Sequence, residues 1–156
     1  MLNDGVPLPI SWTAENSTNA FLTLDRNGNG TIDNGAELFG DVTPQPVSDE
    51  PNGFLALAEY DKLENGGKNN GRIESSDAIF ASLRLWQNIN HNGVSEPTEL
   101  RGFSALGLTG IDVTYKDSKS TDAYGNRFRY RAKVYSSGGG NHAGRWAWDV
   151  FLTVVQ

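Results

Sequence analysis

The chain has 156 residues and a mass of 17.0 kDa, the size of one domain, and its 37 % hydrophobic content with 16 aromatic residues is sufficient for a core. It contains no cysteine and two histidines, which excludes disulfide bonds and thiolate ligands and argues against a histidine-rich zinc or iron centre. A net charge of −6 disfavours nucleic-acid partners, and no apolar stretch approaches the roughly 18 residues of a membrane span.

Short elements separated by polar, glycine-rich loops are predicted for residues 1–109. A linker with three prolines, residues 42–52, precedes an apolar segment with helical spacing, and Pro97 stands where the first residue of another helix is expected. In chain order, the predicted elements are a strand at 10–13, a helix within 16–24, a helical turn at 37–41, a helix at 53–60, an extended segment at 72–74, and helices at 77–83 and 98–106.

The sequence changes character from Gly110 onward. Polar and apolar residues alternate at 111–115, 128–135 and 146–152, which is typical of half-buried strands. These three segments predict an antiparallel meander. The expected fold is therefore α+β, with residues 1–109 and 110–156 packed together as one compact domain.

The charge is divided between two parts of the chain. Residues 1–100 contain 15 acidic and 5 basic residues, a net charge of −10, whereas residues 101–156 contain 4 and 8, a net charge of +4. The chain also contains 15 asparagines and 18 glycines, which cluster with the acidic residues. Concentrated carboxylate and amide oxygens indicate binding of hard cations, with a solvated acidic surface as the alternative.

Loop A, residues 25–37, has the ligand spacing of a calcium-binding loop. Such loops supply oxygen atoms from positions 1, 3, 5, 7 and 9 and from a final acid at position 12, with a glycine at position 6. The final acid, Glu37, comes one residue late, and Asp41 lies on the same helical face and could assist. A metal-free turn that caps two helices is the alternative. The other predicted ligands are Asp25, Asn27, Asn29, the carbonyl of Thr31, and Asp33, with Gly30 at position 6.

Loop C, residues 88–99, has the correct spacing throughout, including the final acid. Its first three ligands are neutral amides, so the loop carries two carboxylates and is expected to bind weakly, with a dissociation constant of about 10⁻⁴–10⁻³ M. A metal-free turn is again the alternative. The predicted ligands are Asn88, Asn90, Asn92, the carbonyl of Val94, Glu96 and Glu99.

Loop B, residues 61–77, matches the pattern least well. Positions 1 and 3 fall on Gly66 and Lys68, which cannot ligate through their side chains, and the charge of Lys68 opposes a cation. Asp61 could reach across the inserted residues and complete an irregular site. The predicted ligands are Asp61, Asn70, the carbonyl of Arg72, Glu74 and Asp77. Two or three Ca²⁺ ions are therefore expected in the whole chain.

Three stretches within residues 19–106 resemble the EF-hand-like, dockerin-like calcium-binding regions of large secreted bacterial proteins, including those with hemolysin-type repeats. The stretches are DRNGNGTIDNGAELFGD, GRIESSDAIFASLRLWQ and NHNGVSEPTEL. The resemblance implies helix–calcium loop–helix units, a structural role without catalytic residues, and an extracellular location. Residues 3–5 are similar to the tail of one more such loop, which implies a longer parent polypeptide. The start of the chain has no signal-peptide features, so any export signal is expected outside it.

No catalytic motif supports an enzyme. The sequence lacks a nucleophile elbow, a phosphate-binding loop and a dinucleotide fingerprint, and His91 and His142 are interpreted as solvated. A small calcium-dependent hydrolase using a pair of acids outside the loops is the least supported alternative. The acids available for such a pair are Asp112, Asp117, Asp122 and Asp149.

Two features of the C-terminal part suggest other binding functions. Basic residues alternate along one predicted strand face, which indicates a solvated face or one paired with the acidic half, and alternatively a surface for an anionic partner. Trp146 and Trp148 are interpreted as core residues, but if exposed they would form a platform for stacking sugars. A carbohydrate- or surface-binding module is therefore the main alternative to a calcium module. The basic residues are Arg127, Arg129, Arg131 and Lys133.

Overall fold

The computed structural model describes residues 19–137 and 145–152, so the strand predicted at 10–13, residues 3–5 and His142 lie outside the described residues. Within these ranges the chain forms eight strands and one short helix, α1 (Gly53–Ala58). The strands are β1 (Phe21–Leu24), β2 (Arg72–Glu74), β3 (Leu83–Trp86), β4 (Leu100–Gly102), β5 (Leu108–Asp112), β6 (Lys116–Thr121), β7 (Arg127–Ser136) and β8 (Arg145–Phe151).

The predicted α+β fold, with EF-hand-like helix–loop–helix units before a three-stranded meander, is wrong. The described residues form mostly β structure, in one sheet of three strands and one of five. The longest helical segment within the described residues consists of the six residues of α1 and the three-residue 3-10 turn that follows it, Glu59–Asp61. No helix within the described ranges is long and apolar enough to span a membrane.

The first sheet contains β1, β3 and β4 in that order, all antiparallel. Of the residues expected in helices at 16–24, 77–83 and 98–106, those that the structure describes instead contribute to these strands and to short turns. Segments of four residues such as β1 and β3 are too short to offset the cost of helix nucleation. Paired in a ladder they satisfy each other's backbone groups and bury Leu24 and Leu83.

The second sheet is built around β7. Residues 127–131 of β7 pair with both β6 and β8, which therefore lie on opposite edges of it, while its end pairs with β5 and β5 pairs with β2. The strands predicted at 128–135 and 146–152 correspond to β7 and β8, whereas the strand predicted at 111–115 shares only Ile111 and Asp112 with β5. Strand β6 is not predicted by the sequence pattern, because all six of its residues are polar or charged, and they are mostly exposed.

One hydrophobic core lies against both sheets. Leu57 on α1, Ile73 on β2 and Leu83 on β3 are at most 1 % exposed, and Phe80 and Phe103 meet edge to face with centroids 5.4 Å apart. Burial of these side chains is the main stabilising contribution to the fold. The cluster of buried residues comprises Phe54, Leu57, Ile73, Phe80, Leu83, Phe103, Leu108, Ile111, Tyr130 and Ala132.

Helix α1, predicted at 53–60, is fixed at its start by two side chains. Asn52 is fully buried and accepts hydrogen bonds from the N–H groups of Phe54 and Leu55, each 3.0 Å long. Asp149 on β8 accepts from the N–H of Gly53 at 2.6 Å. Gly53 passes so close to Phe39 that an added Cβ would lie 2.8 Å from its carbonyl oxygen. The start of α1 is thereby joined to the second sheet.

The linker before α1 is attached to β7 through Glu50. The carboxylate of Glu50 accepts hydrogen bonds from the Arg129 guanidinium at 2.6 Å and from the Tyr130 hydroxyl at 2.7 Å. The bond from Tyr130 and the charge of Arg129 lower the pKa of Glu50. Burial and the bond to Glu50 raise the pKa of Tyr130 to about 12. The basic strand was predicted either to be solvated or to pair with the acidic half of the chain. At Arg129 it pairs with the acidic half, through Glu50.

Candidate metal centre

Loop A begins directly after β1 and returns to it at a bridge between Leu38 and Thr23, so it is the turn of a hairpin and not a link between helices. Asp25, at position 1, accepts hydrogen bonds from three backbone N–H groups. They belong to Gly28 at 2.8 Å, Asn29 at 3.2 Å and Gly30 at 2.7 Å. The start of the loop therefore folds around one carboxylate.

Asp33, at position 9, lies opposite the two asparagines of loop A. Its carboxylate accepts from the side-chain amides of Asn27 at 2.9 Å and Asn29 at 2.8 Å, and from the Thr31 hydroxyl at 2.9 Å. These hydrogen bonds lower the pKa of Asp33, so it carries a negative charge at neutral pH. The carboxylate of Asp33 is therefore held next to the side chains of Asn27 and Asn29 within loop A.

Glu37 closes loop A although it comes one residue after position 12. The carboxylate is 3 % exposed and accepts from the N–H groups of Arg26 at 3.1 Å and Asp33 at 2.7 Å. A 3-10 turn, Gly35–Glu37, capped by Asn34, accommodates the extra residue. Asp41, which was predicted to assist, is exposed, and its charge contributes to raising the pKa of Asp149 on β8.

Loop C connects β3 to β4 and is likewise the turn of a hairpin. Glu96, at position 9, accepts from the side-chain amides of Asn92 at 2.7 Å and Asn90 at 3.3 Å. The amide oxygens of Asn90 and Asn92 accept from the backbone N–H groups of Asn92 and Val94. The two asparagines thus have the same arrangement around the acid as in loop A.

Glu99, the final acid of loop C, is 4 % exposed and accepts from the N–H of Ile89 at 2.8 Å and from Trp86 Nε1 at 3.2 Å. Burial raises its pKa, but the hydrogen bonds from Trp86 and Ile89 outweigh burial and hold the pKa of Glu99 below its ordinary value. Asn88 Oδ1, at position 1, is buried and accepts no hydrogen bond from the described residues. A buried oxygen without a partner is unfavourable unless a cation or water satisfies it.

In loop B, Asp61 takes the place of position 1. It accepts from the N–H groups of Asn70 at 3.1 Å and Gly71 at 2.8 Å, as Asp25 does in loop A. The side-chain amide of Asn70 donates to Glu74 at 3.0 Å, and Asp77 accepts from the N–H of Glu74 at 2.7 Å. The second oxygen of Asp77, Oδ1, is buried without a partner in the described structure.

The inserted residues of loop B fold back onto Asp61. Asn69 donates its backbone N–H to the Asp61 carbonyl at 2.6 Å, and Gly67 donates to the Lys62 carbonyl at 2.9 Å. A Cβ at Gly67 would overlap the Asp61 carbonyl carbon, at 2.1 Å, so the close return requires glycine. Lys68, whose charge would oppose a cation, is exposed.

The three loops repeat one local geometry. At position 5 the amide oxygen accepts from the N–H at position 7, and the amide nitrogen donates to the acid at position 9. The backbone at positions 4 and 6 is left-handed in every loop, with φ between 53° and 86°. The residues at these two positions are Gly28 and Gly30 in loop A, Asn69 and Gly71 in loop B, and His91 and Gly93 in loop C.

Comparison with known proteins assigns the chain to a family. Its residues 1–152 match the model of the SPM domain. The chain belongs to the SPM domain family. A relative, the iron-regulated protein FrpA of Neisseria meningitidis serogroup C, is 41 % identical over 125 residues, which are 80 % of this chain and 11 % of FrpA. The chain therefore spans only a small part of the length of this relative.

Two loops of the SPM domain touch each other at equivalent positions. The backbone N–H of Ile32, at position 8 of loop A, donates to the hydroxyl of Ser95, at position 8 of loop C, at 2.7 Å. Both residues are buried. Ile73, at position 8 of loop B, pairs instead with Ile111 on β5. Ser95 is not among the predicted site residues, although its position in the loop pattern could have indicated it.

The donor atoms of the SPM domain fit calcium in type. Within the described ranges, no three acidic or histidine side chains converge as a metal cluster. Each loop instead combines carboxylates with amide and carbonyl oxygens, which are the hard ligands that Ca²⁺ takes in sets of six to eight. Asp77 Oδ1 and Asn88 Oδ1, both of predicted ligand residues, are buried and accept no hydrogen bond from the described residues. The helix–loop–helix fold implied by the resemblance to EF-hand-like regions is wrong, and the calcium binding that it implies stays a prediction.

Acids outside the loops lie on different elements of the SPM domain, each with its own contacts. Asp112 on β5 forms an ion pair with Arg72 at 3.3 Å. Asp122 accepts from the N–H groups of the turn between β6 and β7. Asp149 binds the start of α1, and Asp117 lies opposite Tyr130 on β7.

Proposed function

We propose that this SPM domain is a calcium-binding structural module of a secreted bacterial protein, in which Ca²⁺ orders the loops and stabilises the fold. The observation that carries the proposal is the geometry repeated in loops A, B and C, with a left-handed backbone at positions 4 and 6 and an asparagine donating to an acid. A sequence repeat alone would be compatible with unrelated turns. Repetition of both backbone and side-chain geometry supports one shared binding task.

Each loop would close around its ion and bring its carboxylates, which do not converge in the described structure, together with amide and carbonyl oxygens. When bound, the ion supplies positive charge that offsets the carboxylates of the loop. Up to three ions are proposed. The proposed ligands are Asp25, Asn27, Asn29, Thr31, Asp33 and Glu37 in loop A, Asp61, Asn70, Arg72, Glu74 and Asp77 in loop B, and Asn88, Asn90, Asn92, Val94, Glu96 and Glu99 in loop C.

The loops are placed where an ion would stabilise the whole domain. Loops A and C are hairpin turns of the first sheet and share the bond between Ile32 and Ser95, while loop B leads into β2 of the second sheet. An ion that binds only the folded state at a hundredfold excess over its dissociation constant stabilises it by about 2.7 kcal/mol. Weak loops would fill outside the cell, where calcium is plentiful, and so couple folding to export.

Calcium removal tests this proposal directly. The 156-residue chain is purified, and its calcium content is measured by mass spectrometry. Its melting temperature is then recorded in Ca²⁺, in Mg²⁺ and in excess chelator. We expect a lower melting temperature in chelator and recovery with Ca²⁺ but less with Mg²⁺, which requires a rigid octahedral site. The proposal would be overturned if the purified protein contained no calcium and its melting temperature were the same in all three conditions.

A further inference from the structure

The outer face of the ribbon formed by β6, β7 and β8 carries cations and indole rings side by side. Lys116 lies opposite Arg131, Arg131 opposite Trp148, and Lys133 opposite Trp146. Residues directly opposed in a ladder project from the same side of the sheet. We call these five residues the basic–aromatic face.

This face points away from the core. The neighbours of Arg131 on β7, Tyr130 and Ala132, are each 2 % exposed and belong to the core cluster. Trp146 and Trp148 are 38 % and 37 % exposed, so the prediction that they are core residues is wrong. The alternation of β8 turns them outward because Ala147 and Asp149 occupy the inward positions.

Arg131 lies against both indoles. Its guanidinium carbon lies 4.6 Å from the ring centroid of Trp146 and 5.8 Å from that of Trp148. Trp148 also meets Phe128 edge to face, with centroids 5.7 Å apart. Aromatic side chains packed in this way lose little further freedom when a ligand binds, which favours binding.

The cations of this face have no anionic partner among the described residues. Arg129 is neutralised by Glu50 at 2.6 Å, but no described carboxylate lies within 4.0 Å of Arg131, Lys133 or Lys116. Arg131 Nε is also buried without a hydrogen-bond acceptor in the described ranges. Free positive charge is therefore concentrated here although the chain as a whole has a net charge of −6.

We infer that the basic–aromatic face binds an acidic polysaccharide in which charged and neutral sugars alternate. Sugar carboxylates would pair with Arg131, Lys133 and Lys116, and the C–H faces of the sugars would stack on Trp146 and Trp148. The two indoles are two residues apart on one strand, a separation of roughly 7 Å, so they can contact neighbouring sugars. This inference uses none of the proposed calcium ligands.

A nucleic acid is the less suitable partner for this face. It carries a phosphate at every nucleotide, and binding depends on many cations that replace its counterions. The surface outside this face is acidic enough to bring the net charge to −6, and it would repel a dense polyanion. A polysaccharide with neutral sugars between the acidic ones has a lower charge density and more stacking surface.

The test uses hyaluronan octasaccharide, which alternates acidic and neutral sugars, and a chitin oligosaccharide as its uncharged counterpart. Binding to the 156-residue chain is measured by titration calorimetry and tryptophan fluorescence in excess Ca²⁺, with the fold checked by circular dichroism. We expect saturable binding of hyaluronan and none of the chitin oligosaccharide. Arg131→Gln and Trp146→Ala should each weaken binding by about tenfold or more.

Arg101→Gln is the matched control, because it removes one exposed positive charge from β4 in the other sheet. It should leave hyaluronan binding unchanged. Absence of saturable binding would overturn the inference, as would equal loss in Arg101→Gln and Arg131→Gln. An oligonucleotide that binds as tightly as hyaluronan would also overturn it and identify a general polyanion surface.

Discussion

At the residue scale, Glu37 and Glu99 are carboxyl groups buried at the ends of their loops. Burying a carboxylate is unfavourable unless it is hydrogen-bonded or paired, and each of these acids accepts backbone N–H groups from the start of its own loop. They therefore link the two ends of loops A and C. Each would also be a charged ligand at the inner side of its loop.

Replacing Glu37 by glutamine removes the carboxylate charge but keeps nearly the same side-chain shape. We expect Glu37→Gln to weaken calcium binding by about tenfold or more, because a neutral amide is a poorer ligand for a hard cation. The affinity is measured by calorimetric titration. Asp49→Asn, which makes the same charge change at an exposed position in the linker, should bind calcium normally. Equal affinity of Glu37→Gln and the unmodified protein would contradict this role.

The stability of the domain should depend on pH through Asp149, which is 8 % exposed. Burial, opposed by the bond from Gly53 and assisted by the charge of Asp41, raises the pKa of Asp149. The folded state then holds this proton more tightly than the unfolded chain, so the contribution of Asp149 to stability is greatest below the ordinary pKa of 3.8 and is lost as pH rises through its folded-state pKa.

Asp149→Asn removes this titration while retaining an oxygen acceptor for Gly53. Relative to the unmodified protein, the variant should gain free energy of unfolding as pH rises from about 3 to 7. Urea denaturation of both proteins at the two pH values measures the difference. A difference that is independent of pH would show that Asp149 does not titrate in this range.

At the element scale, the loops depend on left-handed backbone at fixed positions. Gly30 has a φ of +86°, and an added Cβ there would meet no atom within 4 Å. Any cost of a substitution at Gly30 is therefore conformational and not steric. Gly35, in the same loop, also has open space around it but no left-handed φ, which makes it a matched control.

Gly30→Ala should lower the free energy of unfolding by about 1–2 kcal/mol, the cost of left-handed backbone for a residue with a Cβ. Gly35→Ala should be neutral or slightly stabilising because it restricts the unfolded chain. Urea denaturation in the presence of calcium compares the two. If both variants were equally destabilised, the conformational explanation would fail.

At the scale of the whole molecule, one core joins the two sheets. Leu83 of the first sheet and Ile111 of the second belong to the same buried cluster, and Leu83 is fully buried. Two sheets that share a core should unfold together, as small single domains generally do.

Leu83→Ala should lower the free energy of unfolding by about 2–5 kcal/mol, through lost burial and the cavity that remains. Circular dichroism and tryptophan fluorescence should report one coincident urea transition. Leu63→Ala removes the same atoms from a side chain that is 71 % exposed and should have little effect. Two separate transitions would mean that the sheets unfold independently.

The sequence by itself was informative wherever structure is local. The turns at loops A and C, and the strands β7 and β8, lie where the pattern placed them, because a glycine at position 6, asparagine side chains that bond nearby backbone, and alternation of period two all act within a few residues. The helix at Gly53–Ala58 was predictable for the same reason, since its cap, Asn52, is adjacent in the sequence.

The tertiary structure alone decided the first sheet and the exposure of the tryptophans. The four residues Phe21–Leu24, of which three are apolar, have no strong local preference, and they become a strand because β3, about sixty residues later, supplies their backbone partners. Trp146 and Trp148 face outward because the inward positions of β8 meet the core, a fact that depends on the register with β7. Short-range patterns fix turns and periodicity, but pairing between distant segments determines which face is buried.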